Sequence, residues 1–267
     1  MTAKVINLVR KEAGEDYFCF FARSKTENEM DKFTKTILAL VLMVFFSVGC
    51  TKPDEPNNDG NNGGNDTIAH HEFVDLALPS GTLWATCNVG ANEPEEFGGY
   101  FAWGETVPKE IYDWKSYQYG RFFNDRYELN KYCTDSVLGL NGFVDNLAIL
   151  EPADDAATSN WGADRRTPSA AEWEELFETV PNELATRNNV MGWLFTAANG
   201  NSLFLPAAGY FWETVFNAGL GIYWSNTLQS VFPNRSWSFH FNTDSNHLCG
   251  SSDRNRGQSV RAVRSVK

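Results

Sequence analysis

Cysteine, histidine and basic residues are all scarce in this chain, which excludes several kinds of protein. The 267 residues include five cysteines and four histidines, and 22 lysines and arginines stand against 34 aspartates and glutamates, giving a net charge of -12. After residue 49 the longest basic run is the pair Arg165 and Arg166. An acidic chain without a basic patch repels polyphosphates, so we expect no nucleic-acid partner.

The few cysteines also exclude a disulfide-rich scaffold. Cys19 and Cys50 lie in segments that we assign below to processing and lipid attachment, which leaves Cys87, Cys133 and Cys249 for a folded domain. Three thiols form at most one disulfide. The stability of the domain must therefore come from a hydrophobic core.

Long apolar runs are lacking too. The longest, residues 37–48 (ILALVLMVFFSV), follows Lys32 and Lys35. As a helix it would span about 18 Å, well short of the hydrocarbon core of about 30 Å, which argues against a permanent membrane span. A basic start and a short apolar run predict a signal peptide over residues 30–49. Residues 1–29 carry mixed charge and no signal pattern, so we interpret them as a mis-assigned N-terminal extension.

The end of the apolar run, residues 47–50 (SVGC), resembles the bacterial lipobox, although Ser47 stands where leucine is usual. Lipoproteins of the Bacteroidetes tolerate this departure. The resemblance implies that Cys50 carries a lipid anchor, the only membrane contact of the chain, and that the protein lies at the outer membrane or cell surface. The alternatives are an ordinary cleaved signal or an N-terminal helix.

Residues 50–68 are rich in Asn, Gly, Pro and Asp and contain no apolar residue until Ile68. Such a composition cannot bury surface and predicts a flexible acidic linker. Its root-mean-square reach is about 23 Å. Residues 69–267 then form one globular domain of ordinary size.

Within that domain the patterns predict short strands and one clear helix. Residues 74–86 alternate around a break at 79–81 (PSG), as in a β-hairpin. Ser169 and Glu172 form a capping box, and apolar residues at helical spacing continue to Pro181. Short strands are also predicted over 203–206, 222–225, 237–241 and 260–263. Residues 108–153 show little pattern and are interpreted as a long insertion with one or two short helices.

Several segments, taken in order, resemble the Fibrobacter succinogenes major paralogous domain family. They are 74–76 (VDL), 78–81 (LPSG), 84–90 (WATCNVG), 99–105 (GYFAWGE), 155–157 (DAA), 160–162 (NWG), Glu172-Trp173, 204–210 (FLPAAGY), 221–225 (GIYWS) and 257–261 (GQSVR). The resemblance covers roughly Phe73 to Val263. One departure is residues 165–168 (RRTP), where the family has Trp-Arg-Met-Pro.

This resemblance implies a single α+β domain similar to the formylglycine-generating sulfatase-modifying enzymes and to C-type lectin-like domains, with short antiparallel strands, few helices and long loops. Those oxidases hold copper with two nearby cysteines, because a thiolate pair suits Cu(I). Only Cys249 lies in the corresponding C-terminal region. The chain is therefore expected to be no enzyme, and it also lacks a phosphate-binding loop, a Gly-x-Ser-x-Gly elbow and a paired acid and base.

Candidate ligand contacts are aromatic, since aromatic faces stack on sugar rings. The 38 aromatic residues include nine tryptophans. Five of these, Trp84, Trp103, Trp161, Trp173 and Trp224, lie in the family motifs and are expected in the core. Ligand contacts are predicted at Trp212, Tyr210, Trp237 and Trp114.

Metal ligands are less well indicated, and no cofactor is expected. The candidate calcium ligands are Asp244 and Asp253, or Asp154 and Asp155, although such carboxylates also form turns. The spacing of His240, His247 and Cys249 matches no standard zinc motif, and the alternative is a set of surface histidines.

These features together predict a lipid-anchored, non-catalytic binding module of the cell envelope with a glycan or protein ligand. One alternative is an enzyme of the formylglycine-generating kind with an altered metal site. Another is a structural surface protein without a small-molecule ligand.

Overall fold

A computed structural model describes residues 72–123, 126–242 and 247–265. The chain divides into two units, Met1–Gly64 and Asn65–Lys267, and every described residue belongs to the second. The predicted extension, signal peptide, lipidation site and linker, residues 1–29, 30–49, Cys50 and 50–68, lie outside the described residues, as does Asp244. In the part of the chain that is described, no helix has the length and apolar character needed to cross a membrane.

Short strands dominate the described residues. The strands are β1 (Phe73–Asp75), β2 (Leu83–Asn88), β3 (Gly120–Phe123), β4 (Arg126–Leu129), β5 (Asn182–Arg187), β6 (Val190–Thr196), β7 (Ser202–Pro206), β8 (Tyr210–Trp212), β9 (Val215–Asn217), β10 (Leu220–Leu228), β11 (Arg235–Asn242), β12 (His247–Asp253) and β13 (Arg261–Arg264). The helices are α1 (Ala156–Trp161) and α2 (Ala170–Thr179), with single 3₁₀ turns at Leu140–Gly142 and Pro152–Asp154.

The strands form three three-stranded sheets, in the orders β1-β2-β13, β10-β11-β12 and β5-β6-β7, and two hairpins, β3-β4 and β8-β9. Neighbouring strands within these sheets are antiparallel. The prediction of short antiparallel strands with few helices is confirmed.

The first and last strands of the domain both pair with β2. Val74 lies opposite Trp84 in the β1–β2 hairpin, and Val263 of β13 lies opposite Trp84 on the other side. The predicted hairpin and closing strand are confirmed. Arg261 of β13 is fully buried and donates to Asn88 Oδ1 at 2.9 Å, so the C-terminus is fixed to the central strand.

The predicted helix is confirmed as α2, together with its capping box. Ser169 Oγ accepts from the Glu172 backbone N–H at 3.2 Å, and Glu172 Oε2 accepts from the Ser169 N–H at 2.8 Å. Glu172 also pairs with Arg166 at 2.6 Å, so an ion pair lies beside the helix start.

Two aromatic clusters form the core, one around Trp103 and Trp224 and the other around Trp84 and Trp173. Successive residues of a strand point to opposite faces. Trp224 of β10 accordingly packs in the first cluster while its neighbour Tyr223 packs in the second. All five motif tryptophans are at most 7% exposed, so their predicted place in the core is confirmed.

Residues 108–153, predicted as an insertion with one or two short helices, contain the short 3₁₀ helix Leu140–Gly142 and the start of a second, Pro152–Asp154. They also contain the hairpin β3–β4, in which Phe122 pairs with Tyr127, and the sequence did not predict it. Each strand of this hairpin has only four residues. Four residues are too few for a period of two to stand out in the sequence.

Candidate functional site

The hairpin β8–β9 presents the most exposed tryptophan among the predicted contacts. Trp212 pairs with Val215 next to the turn and is 47% exposed. Phe211, on the opposite strand face, packs its ring 4.9 Å from that of Tyr100 and 5.6 Å from that of Tyr112. This inward-facing ring anchors the hairpin and leaves Trp212 toward solvent.

A glycine fixes the start of this hairpin. Gly209 has φ 71°, a conformation that residues with a Cβ rarely adopt. A Cβ at this position would also collide with the carbonyl oxygen of Asn217. The segment before Tyr210 therefore has a conformational role, because Gly209 lets the chain turn into β8, which pairs with β9.

Arg256 lies beside Trp212 and places a positive charge next to its ring. Its guanidinium is 5.0 Å from the centroid of the Trp212 ring and 5.7 Å from that of Tyr210, distances typical of cation–π contacts. The same guanidinium lies 3.4 Å from Asp253 Oδ2. Tyr210 is only 7% exposed, so this predicted contact supports Arg256 from within the fold.

Asp253, predicted as a metal ligand, lies between two arginines. Besides Arg256, Arg235 approaches Asp253 Oδ1 at 3.7 Å. Its charge is thus already compensated by two cations. Among the described residues no group of three or more His, Cys, Asp or Glu side chains is placed to hold a metal ion.

Trp114 stacks on Tyr127, whose pKa responds to the charge of Asp253. The rings of Trp114 and Tyr127 are stacked, with centroids 4.2 Å apart and planes at 12°. Burial raises the pKa of Tyr127, the negative charge of Asp253 raises it further, and the positive charge of Arg235 lowers it. We call Trp212, Arg256, Asp253, Arg235, Tyr127 and Trp114 the aromatic–arginine surface.

Trp237 lies on a different strand. It stands opposite Ser251 in the β11–β12 pair and is half-buried. By strand alternation it shares a face with Phe239, whose ring stacks on Trp173 of α2 at 4.9 Å. The structure therefore groups Trp212 and Tyr210 around Arg256, stacks Trp114 on Tyr127 and places Trp237 on the face that meets α2.

The remaining predicted carboxylates serve the fold. Asp154 accepts from the hydroxyls of Tyr119 and Tyr132 at 2.6 and 2.5 Å and pairs with Lys131 at 2.6 Å. Asp155 caps α1. Because these oxygens already accept several hydrogen bonds, they are poorly placed to bind calcium.

The described cysteines are free thiols in three separate surroundings. Cys87 donates to the carbonyl of Ala91, Cys133 donates to that of Asp135, and Cys249 packs against the second cluster. Burial raises the pKa of each thiol, to about 11 for Cys249. Thiolates are the form that binds metals, so these surroundings favour structural roles.

His240 belongs to a hydroxyl cluster and is half-buried. Its Nε2 lies 2.6 Å from Ser238 Oγ and 3.3 Å from Ser252 Oγ. Burial, together with the positive charges of Arg235 and Arg256, lowers the pKa of His240 to about 4. The imidazole is neutral at pH 7. Ser238 is 2% exposed, so it is shielded from external substrates. The structure does not describe the side chain of His247.

Acid is expected to destabilise the domain through His240. Its folded pKa of about 4 lies below the ordinary histidine value of 6.5, so the contribution is complete above pH 6.5 and is lost as the pH falls toward 4. The loss over this window is about 3 kcal/mol. Urea unfolding at several pH values between 7 and 4.5 measures it. In His240→Asn the decline between pH 6.5 and 5 should be largely absent, and equal slopes for both proteins would contradict the assignment.

Sequence reasoning identified Trp212, Trp114 and Asp253 but missed Tyr127, Arg235 and Arg256. The spacing of Asp253 and Arg256, three residues apart beyond a strand, is the one local signal that could have indicated their pairing. Arg235 and Tyr127 come from other strands, and only the tertiary structure brings them to Asp253.

Comparisons with protein-family models, with curated proteins and with solved structures found no match to this chain. Its function is therefore inferred from the side chains described above.

Proposed function

We propose that this chain is a lipid-anchored, non-catalytic binding module of the cell envelope that holds a glycan at the aromatic–arginine surface. The observation that carries the proposal is the exposure of Trp212 beside Arg256 and Asp253. The motif tryptophans are at most 7% exposed, so an indole that is 47% exposed on a rigid hairpin is a departure that the core does not explain.

The chemistry of this surface suits a sugar. The face of an indole packs against the apolar C–H face of a pyranose ring. A carboxylate accepts hydrogen bonds from sugar hydroxyls and a guanidinium donates them. Asp253 is oriented by Arg235 and Arg256, so its oxygens are ordered before the ligand arrives, which reduces the entropy lost on binding.

The envelope location rests on the N-terminal sequence. A lipid on Cys50 followed by the acidic linker of residues 50–68 would hold the binding domain away from the bilayer. The resemblance to the Fibrobacter major paralogous domain family and to C-type lectin-like domains belongs to the same proposal. Scaffolds with long loops on short strands often carry their binding residues in loops.

A glycan-array screen of the full chain tests the proposal. We expect saturable binding that weakens at least tenfold in Trp212→Ala, because the stacking face is removed. Trp237→Ala is the matched control, since Trp237 lies on another strand face, and it should bind like the parent. The screen is run with calcium and again with chelator. Calcium dependence would bring the acidic loops, including Asp244, into the site.

Two outcomes oppose the glycan proposal. Unchanged binding in Trp212→Ala would remove the aromatic–arginine surface from the site. Absence of binding to every glycan in both conditions would exclude a glycan ligand and favour a protein ligand or a structural surface role.

A further inference from the structure

The hairpin β3–β4 carries two exposed phenylalanines among basic residues. Phe122 and Phe123 are 36% and 55% exposed. Lys115 Nζ lies 5.5 Å from the centroid of the Phe122 ring, and the Arg121 guanidinium lies 5.0 Å from that of Phe123. Arg126 is exposed and stands opposite Phe123 in the strand pair. We call Lys115, Arg121, Phe122, Phe123 and Arg126 the basic hairpin surface, which shares no residue with the aromatic–arginine surface.

The base of this hairpin is fixed to the domain. Leu129 at the end of β4 is fully buried, and the ring of Tyr127 stacks on that of Trp114 at 4.2 Å. Among the described residues β3 and β4 form a sheet with no third strand. The fold therefore holds the two phenylalanines in place at the surface without covering them.

Both faces of the hairpin are apolar at this end. Successive residues of a strand point to opposite faces, so Phe122 and Phe123 are exposed on different sides of β3. A flat protein surface can cover only one of these sides. The interfacial layer of a bilayer, into which a hairpin can insert, covers both.

The cations beside these rings are free to meet an anion. Lys115, Arg121 and Arg126 form no ion pair within the described part of the chain. All three side chains are exposed. Lysine and arginine side chains form strong, charge-assisted hydrogen bonds to phosphate oxygens, so the surface offers three phosphate contacts around an apolar centre.

Nearby acidic residues leave a local excess of positive charge. Residues 115–126 contain three cations and one acid, Asp125, although the whole chain carries a charge of -12. Of the two acids that flank this stretch, Asp113 accepts from a backbone N–H at 2.8 Å, and Glu128 stands opposite Arg121. Because the Debye length is about 8 Å at physiological ionic strength, an anion at this surface senses the adjacent cations more than the charge of the distant residues.

We infer that the basic hairpin surface inserts into the headgroup layer of an anionic lipid bilayer. The two phenyl rings leave water for the interfacial layer, and the three cations meet lipid phosphates. A glycan suits this surface less well, because a cation already lies over each phenyl ring. A nucleic acid extends beyond the surface and meets the negative charge of the rest of the chain.

This contact adds to the lipid on Cys50, which the sequence predicted as the only membrane contact. The linker of residues 50–68 has a reach of about 23 Å, so a domain anchored through it can leave the bilayer or settle on it through the hairpin. Neither the lipid nor the glycan site is needed for the hairpin contact. It is therefore tested in the variant Cys50→Ser, which cannot be lipidated.

Sedimentation of the full chain carrying Cys50→Ser with vesicles tests the inference. Mixed phosphatidylglycerol and phosphatidylcholine vesicles are compared with phosphatidylcholine alone. We expect about tenfold stronger partition to the anionic vesicles, and a loss of this preference at high salt. Both Phe122→Ser, Phe123→Ser and Arg121→Gln, Arg126→Gln should weaken partition to the anionic vesicles about tenfold. Residues 37–48 are present in every protein compared, so differences between variants report the hairpin.

Matched controls change the same chemistry elsewhere. Val231→Ser, Phe232→Ser removes two side chains that are 74% and 56% exposed in the loop before β11. Arg165→Gln, Arg187→Gln removes two charges outside the hairpin. Both controls should partition within about threefold of the parent, because only distant charge or apolar area is lost. Trp212→Ala should partition like the parent, which separates this contact from the glycan site.

A variant that keeps the aromatic side chain reports where the hairpin lies. In Phe123→Trp, fluorescence relative to the parent should shift to shorter wavelength on anionic vesicles and be quenched by brominated lipids, whereas Phe232→Trp should show neither change. Four outcomes overturn the inference: no partition of the parent to anionic vesicles, equal partition to both kinds of vesicle, equal losses in hairpin variants and controls, or an indole at position 123 that stays unquenched.

Discussion

Replacing Arg254 with methionine is expected to lower the free energy of unfolding by about 4 kcal/mol. Arg254 is fully buried. Its guanidinium donates to the hydroxyl of Tyr117 at 2.9 Å and to the carbonyls of Tyr132, Pro233 and Lys131 at 3.0, 2.8 and 3.1 Å. Methionine keeps the apolar stem but leaves four buried acceptors without donors, and each unsatisfied acceptor costs free energy.

Aromatic rings add to the effect. The guanidinium lies 4.9 Å from the ring of Trp103 and 5.3 Å from that of Tyr117, contacts that are stronger when shielded from water. These rings belong to the first core cluster. The substitution should therefore also loosen the loop that precedes β11 and the loop that follows β4, since Arg254 bonds to carbonyls in both.

Urea unfolding followed by circular dichroism measures the change. Arg121→Met is the matched control, because Arg121 is exposed on β3 and its contact with Phe123 lies at the surface. The control should differ from the parent by less than about 0.5 kcal/mol. Equal losses in the two variants would show that Arg254 does not bridge these loops.

Trp173→Ala is expected to cost about 4 kcal/mol, the usual range for removing a large aromatic side chain from a packed core. The ring centroid of Trp173 lies 4.6 Å from that of Trp84, 4.9 Å from that of Phe239 and 5.7 Å from that of Tyr223. Its indole N–H also donates to the carbonyl of Trp224 at 3.2 Å. The variant loses packing on three sides and one buried hydrogen bond.

The same substitution at Trp212 is the control. Trp212 is 47% exposed, so Trp212→Ala should cost less than about 1 kcal/mol. Thermal and urea unfolding of both variants make the comparison. A small loss in Trp173→Ala would mean that the second core cluster repacks around the cavity, and a large loss in Trp212→Ala would mean that this indole stabilises the fold.

Local features of the fold could be predicted from the sequence because their causes are local. The capping box of Ser169 and Glu172 and the apolar spacing that follows specify α2 within ten residues. The turn at residues 79–81 likewise specifies the β1–β2 hairpin. The hairpin β3–β4 could not be predicted in this way, since its short strands are stabilised by Trp114 and by the body of the domain.

The candidate site divides along the same line. Trp212 could be proposed because it lies outside the motifs whose tryptophans fill the core. The burial of Tyr210, the position of Trp237 and the two arginines beside Asp253 depend on strand register and on contacts between distant segments. The register of a strand depends on the whole sheet, so a short segment of sequence is not enough to predict it.

The place of β13 beside β2 has a consequence for the order of events during synthesis. The strands β1 and β2 are made first, but the guanidinium of Arg261 that joins Asn88, Ala85 and Phe204 is supplied by β13, the last of the described strands. The central sheet therefore gains β13, and the hydrogen bonds of Arg261, only after every other described strand has been made.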